Sequence, residues 1–169
     1  MTALLCFGCP RVLYLDYQPS TSIKGSGPVR VDTFIYDGHP TGLMKQKEVE
    51  STRQDAESLY LSMNIGDFFT IALKRELVFA GYDLRPDSAR IISGVIENFF
   101  LDYAGEDEQR FQSRVTFTVA RLDGARFTSS CHADRQQAED WMKTGLLIQQ
   151  GIKGCIDEFM TKAQAAGAL

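Results

Sequence analysis

The chain has 169 residues, 44% of them hydrophobic and 24% charged, with a formal net charge of −4 and an isoelectric point near 5.2. That length is most simply one domain able to bury a core. The acidic balance argues against general affinity for nucleic acid and against a polybasic membrane patch, both of which need clustered Lys and Arg. No apolar run approaches the roughly 20 residues of a membrane span.

Residues 1–10, MTALLCFGCP, are short, apolar and rich in small side chains. They resemble the tail of a bacterial lipoprotein signal peptide with Cys9 as the residue to be lipidated. Gly8 fits the pattern; Cys6 stands where Leu is usual, Phe7 is bulky, and the basic leader is missing. The alternative is a disordered N-terminus with two incidental thiols. Only two His and a single CxxC argue against a structural zinc site at Cys6 and Cys9.

Residues 11–17, RVLYLDY, set Leu13, Leu15 and Tyr17 against Val12, Tyr14 and Asp16. This alternation predicts a strand inside the sheet. After a Ser/Gly/Pro loop, residues 28–37 predict a second strand, with Val29, Val31 and Ile35 on one side and Phe34 and Tyr36 on the other. The two runs are expected to pair as neighbours. Residues 38–62 begin with breakers (Gly38, Pro40, Gly42), then turn densely charged over 45–58. They read as a solvated insertion that carries a short exposed strand or a turn of helix.

Asn64 is read as a helix cap, answered by Asp67 three residues on. Ile65, Phe69, Ala72, Leu73, Leu77 and Ala80 recur at the helical period, widened by Phe68 and Ile71. Gly81 sits where a left-handed glycine ends a helix.

Residues 90–133 read as a three-stranded meander. The central run alternates Phe111, Val115, Phe117 and Val119 with Gln112, Arg114, Thr116 and Thr118. Asp123-Gly124 predicts a two-residue type I′ hairpin. In the preceding strand, Ile92, Ile96 and Phe100 share one parity, while Ile91, Val95, Phe99 and Leu101 share the other. One of these sets must face outward and needs a cover. Asp134 is read as the cap of a last helix, answered by Gln137. Its stripe is Trp141, Ile148, Ile152, Cys155, Ile156, Phe159 and Ala163, running to about residue 165. Gly145, Gly151 and Gly154 allow close approach.

The order β-β-α-β-β-β-α predicts an α+β fold over residues 11–165. It is a two-layer α/β sandwich with a mostly antiparallel or mixed sheet and two helices on one face. Val115, Phe117 and Val119 should meet the helices, leaving Phe100, Arg114, Thr116, Thr118 and His132 as candidate partner-binding residues on the outer face.

Little here suggests catalysis. Cys131 and His132 are adjacent in a strand and so point to opposite faces. His39 has no local partner. Glu106, Asp107 and Glu108 lack calcium-loop spacing. No nucleophile elbow, zinc-protease helix, phosphate loop or dinucleotide fingerprint is present. No catalytic residue, metal or cofactor is therefore expected. Cys131 and Cys155 read as two reduced core thiols, with a disulfide the alternative in an oxidising compartment.

The candidate Cys9, the strand RVLYLDY, the helix NIGDFFTIALKRELVFAGYDL, the strands ARIISGVIENFFLDY and VTFTVARLDGARF, and the closing QAEDWMKTGLLIQQGIKGCIDEFM together resemble small Gram-negative envelope lipoproteins of the YajG kind. More distantly they are similar to the PqiC-type auxiliary lipoproteins of lipid-related ABC transport. The likeness covers about residues 11–160 and lies in element order and hydrophobicity. It departs at the imperfect lipobox and the charged insertion at 45–58. It implies a periplasmic face, an outer-membrane lipid anchor at Cys9, and an accessory or scaffold role beside ABC- or MCE-type components, without catalysis or nucleic acid.

Two other readings compete. One is a ligand-binding or enzymatic domain with a helix–sheet pocket, to be sought around Glu97, Asn98, Arg114 and Lys74. The other is a homo-oligomeric module built through Phe100 and the edge strands.

Overall fold

The computed structural model describes residues 11–38, 45–51, 58–103, 108–138 and 140–169. Cys6, Cys9, His39, Glu106, Asp107 and the side chain of Trp141 lie outside this set. The elements in chain order are β1 (Arg11–Leu13), β2 (Pro28–Val31), β3 (Ile35–Tyr36), a 3-10 turn (Lys45–Lys47), β4 (Glu48–Ser51), β5 (Leu59–Leu61), α1 (Ile65–Ala80), β6 (Asp83–Leu84), β7 (Ile91–Asp102), β8 (Glu108–Ala120), β9 (Arg126–Ala138) and α2 (Trp141–Ala165).

The meander β7-β8-β9 is the frame, antiparallel throughout. Along the other edge of β7 lie three short parallel strands in succession. β2 pairs at Arg30↔Ile91, β3 at Ile35↔Val95 and β4 at Glu50↔Phe100. β5 runs antiparallel to β4, and β1 parallel to β5. The expected β1–β2 pairing does not occur. β1 is three residues long and sits at the margin, so residues 11–17 do not lie inside the sheet. Residues 45–51 supply both the turn of helix and the short strand, and β4 extends the sheet in its own plane.

Both helices cover the same face. Phe117 of β8 stacks on Phe159 of α2 at 4.4 Å between ring centroids and lies 5.8 Å from Phe69 of α1. One side chain meets both helices, which makes the fold a two-layer α+β sandwich. Phe34 joins the cluster, 5.3 Å from Phe69 and 5.5 Å from Phe117. Val115, Phe117 and Val119 are buried, as their parity requires. Gly151 lets α2 approach closely, since a Cβ there would stand 2.5 Å from the Phe111 ring.

The parity conflict in β7 is resolved by a bulge. Register shifts between Ile96 and Asn98, leaving Glu97 as the extra residue. Before it Ile92 and Ile96 face inward; after it Phe99 and Leu101 do. Neither apolar set is abandoned to solvent. A break at residues 32–34 does the same between β2 and β3. Val29, Val31, Phe34 and Tyr36 are all buried, and Ile35 turns outward, 63% exposed, against the expected grouping.

Three local expectations fail for identifiable reasons. The β8–β9 loop is not type I′, because no described residue except glycine has positive φ. The Gly124 N–H bonds the Arg121 carbonyl, the Arg121 N–H bonds the Ala125 carbonyl, and Gly124 has φ 83°. This is a type I turn closed by a glycine bulge. The Asn64 side chain does not cap α1; its amide donates to Asp67 instead. Gly81 does end the helix, with φ 105°. Asp134 does not begin α2. β9 runs on to Ala138, and Asp140 caps the helix by accepting the Met142 N–H.

The N-terminal loop is tied to α1 by a buried carboxylate. Glu76 is fully buried, and its oxygens accept the Tyr17 hydroxyl at 2.8 Å and the Ser20 and Thr21 N–H groups at 3.1 and 2.9 Å. Burial, then the hydrogen bond and charge of Glu76, push the Tyr17 pKa well up. Thr70 Oγ1 donates to the Gly66 carbonyl and accepts the Phe34 N–H, so this polar side chain is buried with both partners satisfied. Ile71, read as part of the stripe, faces solvent instead.

Cys131 and Cys155 form a disulfide between β9 and α2, with Cα atoms 5.4 Å apart. This corrects the reduced-thiol expectation. Cys131 occupies an inward strand position and Cys155 the inward stripe of a helix laid directly on that strand, so packing brings the sulfurs together.

Candidate docking face

The sheet face opposite the helices is the candidate site. Strand alternation, reversed at the Glu97 bulge and at the break at residues 32–34, decides its membership. Arg114 and His132 are directly opposite one another on β8 and β9 and both exposed. Thr116 and Thr118 follow on the same side of β8, half-buried by their neighbours. Phe100 stands opposite Gln112, one step from Arg114, and is half-buried. All five predicted residues therefore share one contiguous face. Phe100 reaches it only because the Glu97 bulge reverses parity.

The centre of the face is a polar relay. Thr116 Oγ1 donates to Glu97 Oε1 at 2.8 Å and lies 2.9 Å from Ser130 Oγ, so the Ser130 hydroxyl is the donor in that contact. The relay crosses all three meander strands. On the helix side of the bulge, Ser113 donates to the Asn98 carbonyl at 2.9 Å. At one end Arg110 grips Asp134 through two hydrogen bonds. The Arg110 contact, aided by the charge of His132, holds the Asp134 carboxyl below its ordinary value. Toward β3 the face turns apolar, with exposed Ile35 beside Val95. Val12 is also exposed, beside Tyr60.

Such a face suits recognition. It offers a flat array of hydroxyls, an arginine and a histidine, and an apolar flank. The residues of the pocket reading do not gather in one pocket. Glu97, Asn98 and Arg114 are neighbours across β7 and β8, whereas Lys74 stands on α1, beside open depressions of about 350 and 320 Å³. Cys131 points inward into its disulfide, away from His132. Among the described residues no group of three or more His, Cys, Asp or Glu side chains is placed to hold a metal. Ile35 and the Arg110–Asp134 pair were not legible as members of the face. The first was hidden by the break at residues 32–34, the second by the reading of Asp134 as a helix cap.

No protein-family model and no curated protein matches the sequence. Solved structures do match. Protein XCC0632 from Xanthomonas campestris, described by the family model DUF330, aligns with a TM-score of 0.68 and 11% identity over 92% of this chain and 96% of that one. An uncharacterised protein aligns at 0.61 and 11% identity, over 93% and 99%. The hypothetical protein CT253 from Chlamydia trachomatis aligns at 0.51 and 10% identity, over 82% and 97%. At these identities the shared property is the fold: this chain has the α+β architecture of the DUF330 protein over nearly its whole described length.

Proposed function

We propose that this protein is a periplasm-facing lipoprotein of the bacterial envelope, anchored in the outer membrane through Cys9. It acts by binding, as an accessory or scaffold subunit of an envelope assembly or lipid-transport complex with ABC- or MCE-type components. The observation that carries the compartment is the Cys131–Cys155 disulfide. Such bonds persist in oxidising compartments and are rare where glutathione and thioredoxin keep thiols reduced. The YajG- and PqiC-like element order supports the same reading. The outer sheet face, a broad polar array with an apolar flank, supplies the surface.

The test is palmitate labelling and fractionation of the gene-encoded full-length protein in its own host. Label in the outer-membrane fraction, abolished by Cys9→Ala, is the expected result. An unlabelled protein recovered with the cytoplasm removes the proposal. Photo-crosslinking from position 116 on the outer face should then trap an envelope component, and crosslinking from helix position 75 should not.

A further inference from the structure

The sheet ends on β9, which among the described residues pairs with β8 alone. The ladder alternation decides what stands on its open side. The Arg121 N–H bonds the Ala125 carbonyl, and the register continues unbroken from Ala120↔Arg126 to Glu108↔Ala138. Odd-numbered residues of β9 therefore exchange backbone bonds with β8. Even-numbered residues, from Arg126 to Gln136, turn their N–H and C=O groups to the open edge. Long edges are ordinarily blunted by shortness, proline, bulges or inward charge. β9 runs for 13 residues without a proline and without a bulge in its pairing; its one inward-parity charge, Arg135, lies near the end of the strand and bonds the Asp134 carbonyl.

We propose that this edge pairs with β9 of a second copy, antiparallel about a two-fold axis at Ser130. The even-numbered side chains lie on the outer face, so this register sets Arg126 opposite Asp134 of the second copy, twice over, and Thr128 opposite His132. Asp134 is already held by Arg110, yet a carboxylate keeps lone pairs for a second guanidinium. An axis at His132 would set that imidazole against itself and Arg126 against Ala138, losing both ion pairs. The contact is isologous and closes at the dimer. Phe100 supplies no edge, because β7 is flanked on both sides. The inference goes beyond the envelope reading and is independent of it, since the edge exists in any compartment.

Light scattering on the full chain across a concentration series tests this, with Thr128→Pro and Arg126→Asp. The Thr128 N–H points away from β8, so proline there removes an edge donor while sparing the β8–β9 ladder. Arg126→Asp places like charges across the axis. The wild type is expected to dimerise, and each variant to raise the dimer Kd by about tenfold or more, with an unchanged circular dichroism spectrum. If Thr128→Pro fails to fold, Arg126→Asp carries the test alone. A wild-type monomer at every concentration overturns the proposal, as does an oligomer indifferent to Arg126→Asp.

Discussion

Opening the Cys131–Cys155 bond separates the packing of this fold from its covalent restraint. The two cysteines are 24 residues apart, and the closed loop takes in the end of β9 and the first half of α2. Chain-entropy bookkeeping for a loop of that length gives about 3.5 kcal/mol of stabilisation, through the freedom denied to the unfolded chain. Against a typical total of about 5–15 kcal/mol, that is a quarter or more of the stability. With a urea slope of about 2 kcal/mol/M, the midpoint should fall by nearly 2 M on reduction. The assay is urea unfolding followed by circular dichroism, oxidised against reduced. Cys131→Ala/Cys155→Ala should lose somewhat more, because both sulfurs are buried. Thiol counting on the unfolded, unreduced chain should find neither Cys131 nor Cys155 reactive. Four reactive thiols, or coincident oxidised and reduced midpoints, would refute the reasoning.

Phe117→Ala should cost about 3–5 kcal/mol in the same titration, because the fully buried ring is packed against Phe34, Phe69 and Phe159. Thr118→Ala, on the outer face of the same strand, should stay within about 0.5 kcal/mol. Gly66→Ala should destabilise by about 3 kcal/mol in thermal or urea unfolding, since the new Cβ would stand 2.3 Å from the Phe34 carbonyl oxygen, and that backbone is held by Thr70. Burial raises the pKa of Tyr17 and Tyr36 above the ordinary 10.0. A phenol whose folded pKa exceeds its unfolded one contributes stability that is complete below the unfolded value and is lost as pH rises past it. Urea midpoints should therefore hold at pH 8 and fall between about pH 10 and 11, and Tyr17→Phe should make that fall shallower.

Much of the frame was legible because burial imposes a period. Val115, Phe117 and Val119 alternate with Arg114, Thr116 and Thr118, and a strand with one covered face has no other way to sort them. The same holds for α1, where the 3.6-residue stripe and Gly81 bound the helix correctly. The period fails wherever the backbone gains or loses a residue. The bulge at Glu97 and the break at residues 32–34 each reversed parity, so Phe100 and Ile35 changed faces without any change in composition. It fails too where polarity is uniform. Residues 134–138, DRQQA, carry no alternation, and an Asp followed three residues later by Gln imitates a helix start. β8 extends the ladder regardless, because backbone hydrogen bonds do not read side chains.

The amino-acid order by itself determined which residues shun water, hence the two helices, the meander and the side of it that they cover. Those are properties of neighbours in the chain, set by local geometry and hydrophobicity. Contacts between distant segments were decided only in three dimensions: the Cys131–Cys155 bond, the grip of Glu76 on residues 17–21, the three short strands lined up along β7, and the open edge of β9. Each depends on distances that packing sets, and alternation along the chain carries no information about them.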